Sequence, residues 1–186
     1  MSLFVELGMD YVGIDYSPHA IAKAKERATE AALKADLSVG DALKLDEDIK
    51  QRTYDLVFDM ACFHMFVVDH DRNTYLSNVK RLMGRESAFV LMSQAEDEEA
   101  YEEEIRSVEE YERKFNVDLS SCHHWEAWDG EEWVPVDLPM FACRPRTQQG
   151  YIKEFEEAGF KVNKVYEASS KKNGSGRLDF ILTLQA

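Results

Sequence analysis

Val12-Gly-Ile-Asp15-Tyr-Ser-Pro18-His-Ala-Ile21 is the stretch from which the rest of the chain can be read. Tyr11-Val-Gly-Ile14 is a short β-branched and aromatic run ending on an acid, Asp15, and it predicts a buried strand. Ser17-Pro18 then supplies an N-cap hydroxyl and a first-turn proline. A helix therefore starts there and continues through Ile21, Ala24, Ala28 and Ala31. Leu37-Ser-Val39, closed by Gly40-Asp41, predicts a second strand. Tyr54 to Asp59 (YDLVFD) predicts a third, more hydrophobic than alternating, as suits a strand covered on both faces. Asp71 to Met83 sets Tyr75, Leu76, Val79 and Leu82 on one helical face, with Gly84 expected as the C-terminal cap. Ser87 to Met92 predicts a fourth strand. Alternation of this kind points to an α/β fold on a mostly parallel sheet.

The pattern breaks near residue 96. From Glu96 to Asp118 eleven acidic residues face three basic ones, a net −8 out of the chain's −14. Tyr101, Ile105, Val108, Tyr111 and Phe115 recur there at three- and four-residue steps, predicting an amphipathic helix with a solvated acidic face. An aromatic, turn-rich stretch follows over residues 120–146, with Trp125, Trp128, Trp133 and three prolines. Alternation then resumes with a Thr147-capped helix closed by Gly159, a strand from Phe160 to Tyr166, a Gly/Ser turn over Lys171 to Gly176, and a strand from Leu178 to Leu184. That ending predicts an antiparallel C-terminal hairpin. Residues 1–186 thus read as a single domain, with 96–146 inserted as a lid or substrate-binding segment.

Composition narrows the class. With 186 residues, 45% hydrophobic and 31% charged, the chain is expected to fold around a sizeable core. No apolar run approaches the ~20 residues of a spanning helix, and residues 1–8 lack a basic leader region, so no membrane association is expected. The acidic balance argues against a nucleic acid partner. Three cysteines, Cys62, Cys122 and Cys143, fit a reducing, cytoplasmic setting better than a disulfide framework. A homodimer stays open as an assembly.

Three blocks taken in order carry a resemblance: Val12-Gly-Ile-Asp15-Tyr-Ser-Pro18-His-Ala-Ile21, Val39-Gly-Asp41-Ala-Leu43, and Tyr54-Asp-Leu-Val-Phe-Asp59. With the terminal helix, strand, turn and strand, they resemble the class I S-adenosylmethionine-dependent methyltransferases of small-molecule type. The resemblance covers residues 1–93 and 147–186, and it implies a Rossmann-like methyltransferase fold with S-adenosylmethionine as cofactor. By it, Asp15 accepts hydrogen bonds from the cofactor ribose, where a carboxylate suits two vicinal hydroxyl donors. Tyr16 lies against adenine, Asp41 accepts from the adenine amine beside Gly40 and Ala42, and Asp59 stands near the methionine moiety and the methyl acceptor. These positions end strands, where open α/β sheets form ligand crevices. The implied activity is methyl transfer to a small-molecule acceptor.

Asp59-Met-Ala-Cys-Phe-His64 looks like the family's acceptor-facing loop. His64 is the candidate general base, because imidazole titrates near working pH; the preferred reading is a loop histidine that caps a helix or packs on Phe63 and Phe66. Cys62 reads as a small apolar residue. Cys122-His-His124 with Cys143 has poor metal-ligand spacing, so no metal is expected. The family's opening strand and Gly-rich loop are missing upstream of Tyr11, so the first strand is expected to be absent. Three explanations stay open: a shortened form of a longer enzyme, which is preferred; an inactive truncated paralogue serving as a protein-interaction module; or a partner chain that supplies the strand. A nicotinamide-dependent oxidoreductase is the competing enzyme.

Overall fold

The computed structural model describes residues 2–96, 102–128, 130–169 and 176–185, and its contacts divide the chain into two units, Met1–Thr53 and Tyr54–Ala186. In the first unit, helix α1 (Ser2–Glu6) precedes strand β1 (Tyr11–Asp15). Ser17 caps helix α2 (Pro18–Glu30) by accepting from Ala20 N at 3.2 Å, with Pro18 in the first turn. Strand β2 (Ala35–Val39) lies parallel to β1, with Asp15 opposite Val39, and helix α3 (Glu47–Lys50) follows. Ile21, Ala28, Leu37 and Leu45 are the buried apolar side chains of this unit.

The second unit is built on a four-stranded sheet in the order β3-β4-β8-β7. Its strands are β3 (Tyr54–Met60), β4 (Met83–Ala95), β7 (Phe160–Ser169) and β8 (Gly176–Leu184). β3 and β4 pair in parallel, whereas β8 runs antiparallel to both β4 and β7. The C-terminal hairpin is antiparallel as expected, and because β8 enters beside β4 the sheet is mixed. The Gly/Ser turn between the two strands lies outside the described residues.

Alternation along these strands sets the core. Ser87, Phe89, Leu91 and Ser93 of β4 and Leu178, Phe180 and Leu182 of β8 are buried. Helix α4 (Asp69–Leu82) contributes Tyr75, Leu76 and Val79 to this core, and helix α6 (Gln148–Glu157) contributes Tyr151 and Phe155. Phe155 meets Phe180 edge-on at 5.1 Å, and Phe63 lies 5.7 Å from Phe155. Burying each such ring contributes about 1.5–3 kcal/mol.

Two expectations are corrected. Gly84 does not cap α4, because the chain becomes extended at Met83 (φ −98°, ψ 134°) and Gly84 already lies in β4. The acidic segment is not one long helix over Glu96 to Asp118. Helix α5 spans only Val108–Phe115, capped by Ser107 and closed by Asn116 at φ 52°. Residues 97–101 lie outside the described set, and Glu103 to Ser107 are non-helical. The cause is a competing pairing of the Ile105 backbone with Asp69: Ile105 N donates to the Asp69 side-chain Oδ2 at 2.6 Å, and Asp69 N donates to Ile105 O at 2.9 Å. Ile105, fully buried, joins Val67, Val68 and Tyr111 in a satellite core. The aromatic stretch forms an antiparallel hairpin of β5 (Cys122–Trp128) and β6 (Trp133–Pro139).

Candidate active site

In the first unit the parallel pairing of β1 and β2 brings Asp15 and Gly40 together, since Gly40 N donates to Asp15 O at 3.0 Å. The Asp15 side chain is exposed, and its Oδ1 accepts from Ser17 N at 2.7 Å, which aligns the carboxylate with the start of α2. Tyr16 is 81% exposed. Asp41 is half-buried and braces its own turn by accepting from Leu43 N at 2.8 Å, with Ala42 between them. A Cβ at Gly40 would stand 3.3 Å from Ile14 Cβ and Cγ2, so glycine keeps the β2 exit close to β1. Two carboxylates and one open phenol ring therefore stand at the carboxyl ends of adjacent parallel strands. Their chemistry suits a ligand offering hydroxyl and amine donors beside a flat ring.

In the second unit Asp59 and His64 are both buried. Asp59 Oδ1 accepts from Cys62 N at 2.8 Å, while Oδ2 accepts from Phe63 N at 3.1 Å and the Tyr75 hydroxyl at 2.6 Å. Both carboxylate oxygens thus hold the loop into a short 3-10 turn (Phe63–Met65). Burial pushes the Asp59 carboxyl up, against the opposing pull of Tyr75 and the two backbone donors. Ala61 in this loop sits at φ 64°, a left-handed conformation that alanine adopts at a cost.

His64 Nδ1 lies 3.2 Å from Ser93 Oγ, which in turn lies 2.7 Å from the Tyr151 hydroxyl. Tyr151 donates to Gln94 O at 2.8 Å. Burial, with help from the Arg72 charge, lowers the His64 pKa to about 4, so the ring is neutral at pH 7. Burial also raises Tyr151 to about 12 and the Cys143 thiol to about 11, which leaves both protonated. Cys122, His123 and His124 stand on exposed β5, with His124 against Asp137.

A third feature escaped the sequence reading. Arg72 and Arg144 are fully buried, and Arg146 nearly so. Arg72 grips Glu154 through Nε at 2.6 Å and Nη2 at 2.7 Å, and its guanidinium lies 4.1 Å from the centre of the Phe63 ring. Arg144 binds Asp69 at 2.9 Å and Val67 O at 2.8 Å. Arg146 reaches Glu154, Asp69 and Glu102 at 3.1, 3.1 and 3.2 Å. Burial acts against the Arg72 charge, and the Glu154 carboxylate outweighs it. The only sequence signal was Arg144-Pro-Arg146 in a weakly patterned stretch, and the Asp69 partner lies 75 and 77 positions away.

These observations converge with comparisons to known proteins. A methyltransferase domain family matches residues 2–165. The chain belongs to that family, the S-adenosylmethionine-dependent methyltransferases that its strand-end blocks resemble. Among solved structures it is similar to an S-adenosylmethionine-dependent methyltransferase from Clostridium acetobutylicum, at TM-score 0.67 and 13% identity over 96% of this chain and 76% of that one. It is also similar to a Methanosarcina mazei S-adenosylmethionine-dependent methyltransferase, at TM-score 0.67 and 16% identity over 100% and 88%. A third is the 1,6-didemethyltoxoflavin N1-methyltransferase of Burkholderia thailandensis, at TM-score 0.66 and 13% identity over 100% and 65%. At such identities the likeness establishes the Rossmann-like fold. No curated protein sequence matches.

Proposed function

We propose that this methyltransferase acts on a small-molecule acceptor and that Asp15, Tyr16, Gly40, Asp41 and Ala42 hold the cofactor. The observation that carries the reading is the pair of acids at the carboxyl ends of β1 and β2, joined through Gly40 N to Asp15 O. Asp15 would accept from the ribose hydroxyls and Asp41 from the adenine amine, each carboxylate pre-aimed by its own backbone bond. Tyr16 offers an open ring face to the base. The cofactor supplies an electrophilic methyl group on a sulfonium that leaves readily, so alignment of the acceptor contributes most of the rate.

Asp59, which accepts three hydrogen bonds from the loop and Tyr75, serves as a positioning residue for residues 60–65. His64, neutral and hydrogen-bonded inside the core, fits a supporting role better than that of a base exposed to substrate.

Calorimetric titration with S-adenosylmethionine tests the reading, on this chain and on one lengthened upstream of Met1. Binding that Asp15→Ala weakens about tenfold or more is expected, the size of a lost charge-assisted pair. No binding by either form, or an Asp15→Ala variant that binds as tightly as the parent, would sink it. Tighter binding by the lengthened form would support the chain's being a shortened version of a longer enzyme.

A further inference from the structure

All three tryptophans of the chain, Trp125, Trp128 and Trp133, stand on the β5–β6 hairpin. They are 56, 55 and 64% exposed. A two-stranded hairpin is marginal in water, and three open indoles are a large apolar surface to leave wet. The register puts His123, Trp125, Val136 and Leu138 on one face and the Trp128–Trp133 pair, edge-on at 5.8 Å, on the other. A groove of about 510 Å³ runs along the hairpin, lined by His123, His124, Trp125, Glu126 and Trp133. The groove is open to solvent, so a ligand in it would keep one side wet.

Charge selects among occupants. Between Lys114 and Arg144 the sequence has no Lys or Arg, but it has six acids: Asp118, Glu126, Asp129, Glu131, Glu132 and Asp137. Aromatic ring faces are negative as well, so the segment attracts cations and repels anions on two independent grounds. A second copy of the chain would bring six more carboxylates against these six, which like-charge repulsion disfavours. Nucleic acid and anionic lipid are disfavoured for the same reason.

We propose that the hairpin groove binds an organic cation with an apolar body, such as a quaternary ammonium. Its charge would lie over the Trp133 indole beside the Glu126 carboxylate, which the register places on the same face, and its apolar body would reach Trp125 along the groove. This site stands apart from the methyl-transfer reading; only assigning the cation to the methyl acceptor would rest on it.

Because every tryptophan lies here, selectively excited tryptophan fluorescence reports on this hairpin. The probe is benzyltrimethylammonium, compared with benzyl alcohol and benzenesulfonate as neutral and anionic counterparts. Saturable quenching by the ammonium compound only is expected, with calorimetry giving its affinity. Trp133→Ala and Trp125→Ala should each weaken that affinity about tenfold and Glu126→Gln about threefold, while Tyr166→Ala, on exposed β7 surface, leaves it unchanged. Glu126→Gln is isosteric and keeps the test usable if a ring truncation unfolds the hairpin. Equal responses to all three probes, or variants that bind like the parent, overturn the proposal. So does light scattering that finds a dimer which Trp125→Ala and Trp133→Ala convert to monomer. S-adenosylmethionine affinity is measured on the same samples. Its absence with the ammonium response intact supports the hairpin site and counts against the cofactor reading alone.

Discussion

His64 shows how a neighbourhood overrides a residue type. Histidine after a strand end invites a general-base reading, yet this ring is buried and sits against Ser93 with its pKa lowered to about 4 from 6.5. A histidine whose folded pKa is depressed takes up its proton more readily when unfolded, so the unfolded state binds more protons between the two values. Stability is therefore expected to fall as pH drops from about 6.5 toward 4. The urea midpoint measured across that range should decline, and His64→Gln should flatten the decline above pH 5. Asp15 and Asp59 make the same point with carboxylates. Both end predicted strands, but one is exposed and aimed by Ser17 N, while the other is buried and consumed by three donors. Burial separates their roles, and burial is not a local property of sequence.

Elements were largely legible. The strands at Tyr11, Leu37, Tyr54 and Leu178 and the caps at Ser17 and Thr147 follow from short-range chemistry, and all are present. The β5–β6 hairpin was not, because Pro135 and Pro139 break a strand pattern. Both its strands are edges, so a proline there need not take a ladder donor from a neighbour. The start of α6 holds a detail that spacing does not reveal. Glu102 accepts from Thr147 N at 2.8 Å, and a Cβ on Gly150 would overlap its carboxylate. Alanine in a helix is ordinarily worth about 1 kcal/mol over glycine. Gly150→Ala should nevertheless destabilise by about 1–3 kcal/mol, from steric overlap and the expelled carboxylate. In a Glu102→Ala background the same change should stabilise. Chemical denaturation of the four proteins reads both signs, and stabilisation in the parent background would refute the steric account.

At the scale of the whole second unit, the arginine cluster ties the inserted segment to the sheet's helices. Asp69 and Arg72 come from α4, Glu154 from α6, and Glu102, Arg144 and Arg146 from the insertion. Removing one partner from a buried pair leaves an uncompensated charge, at a cost of about 3–5 kcal/mol. Glu154→Gln is expected to lose about that much in urea denaturation. Glu157→Gln, which breaks the exposed Lys153–Glu157 pair, should stay within about 0.5 kcal/mol. Equal effects would mean that the cluster contributes no more than surface charges do.

The acids of residues 96–118, together with Glu154 of α6, thus divide by partner. Glu102 and Glu154 are turned inward by arginines, while Glu104, Glu109 and Asp118 remain at the surface. Local chemistry, namely periodicity, caps and acids at strand ends, was enough to read the α/β order and to mark the acids that end β1 and β3, because each depends on residues a few positions apart. The inward turn of Glu102, the short α5, the neutral His64 and the buried arginines depend on groups tens of positions away. Their energies come from desolvation and pairing, which exist only once the chain has closed around them.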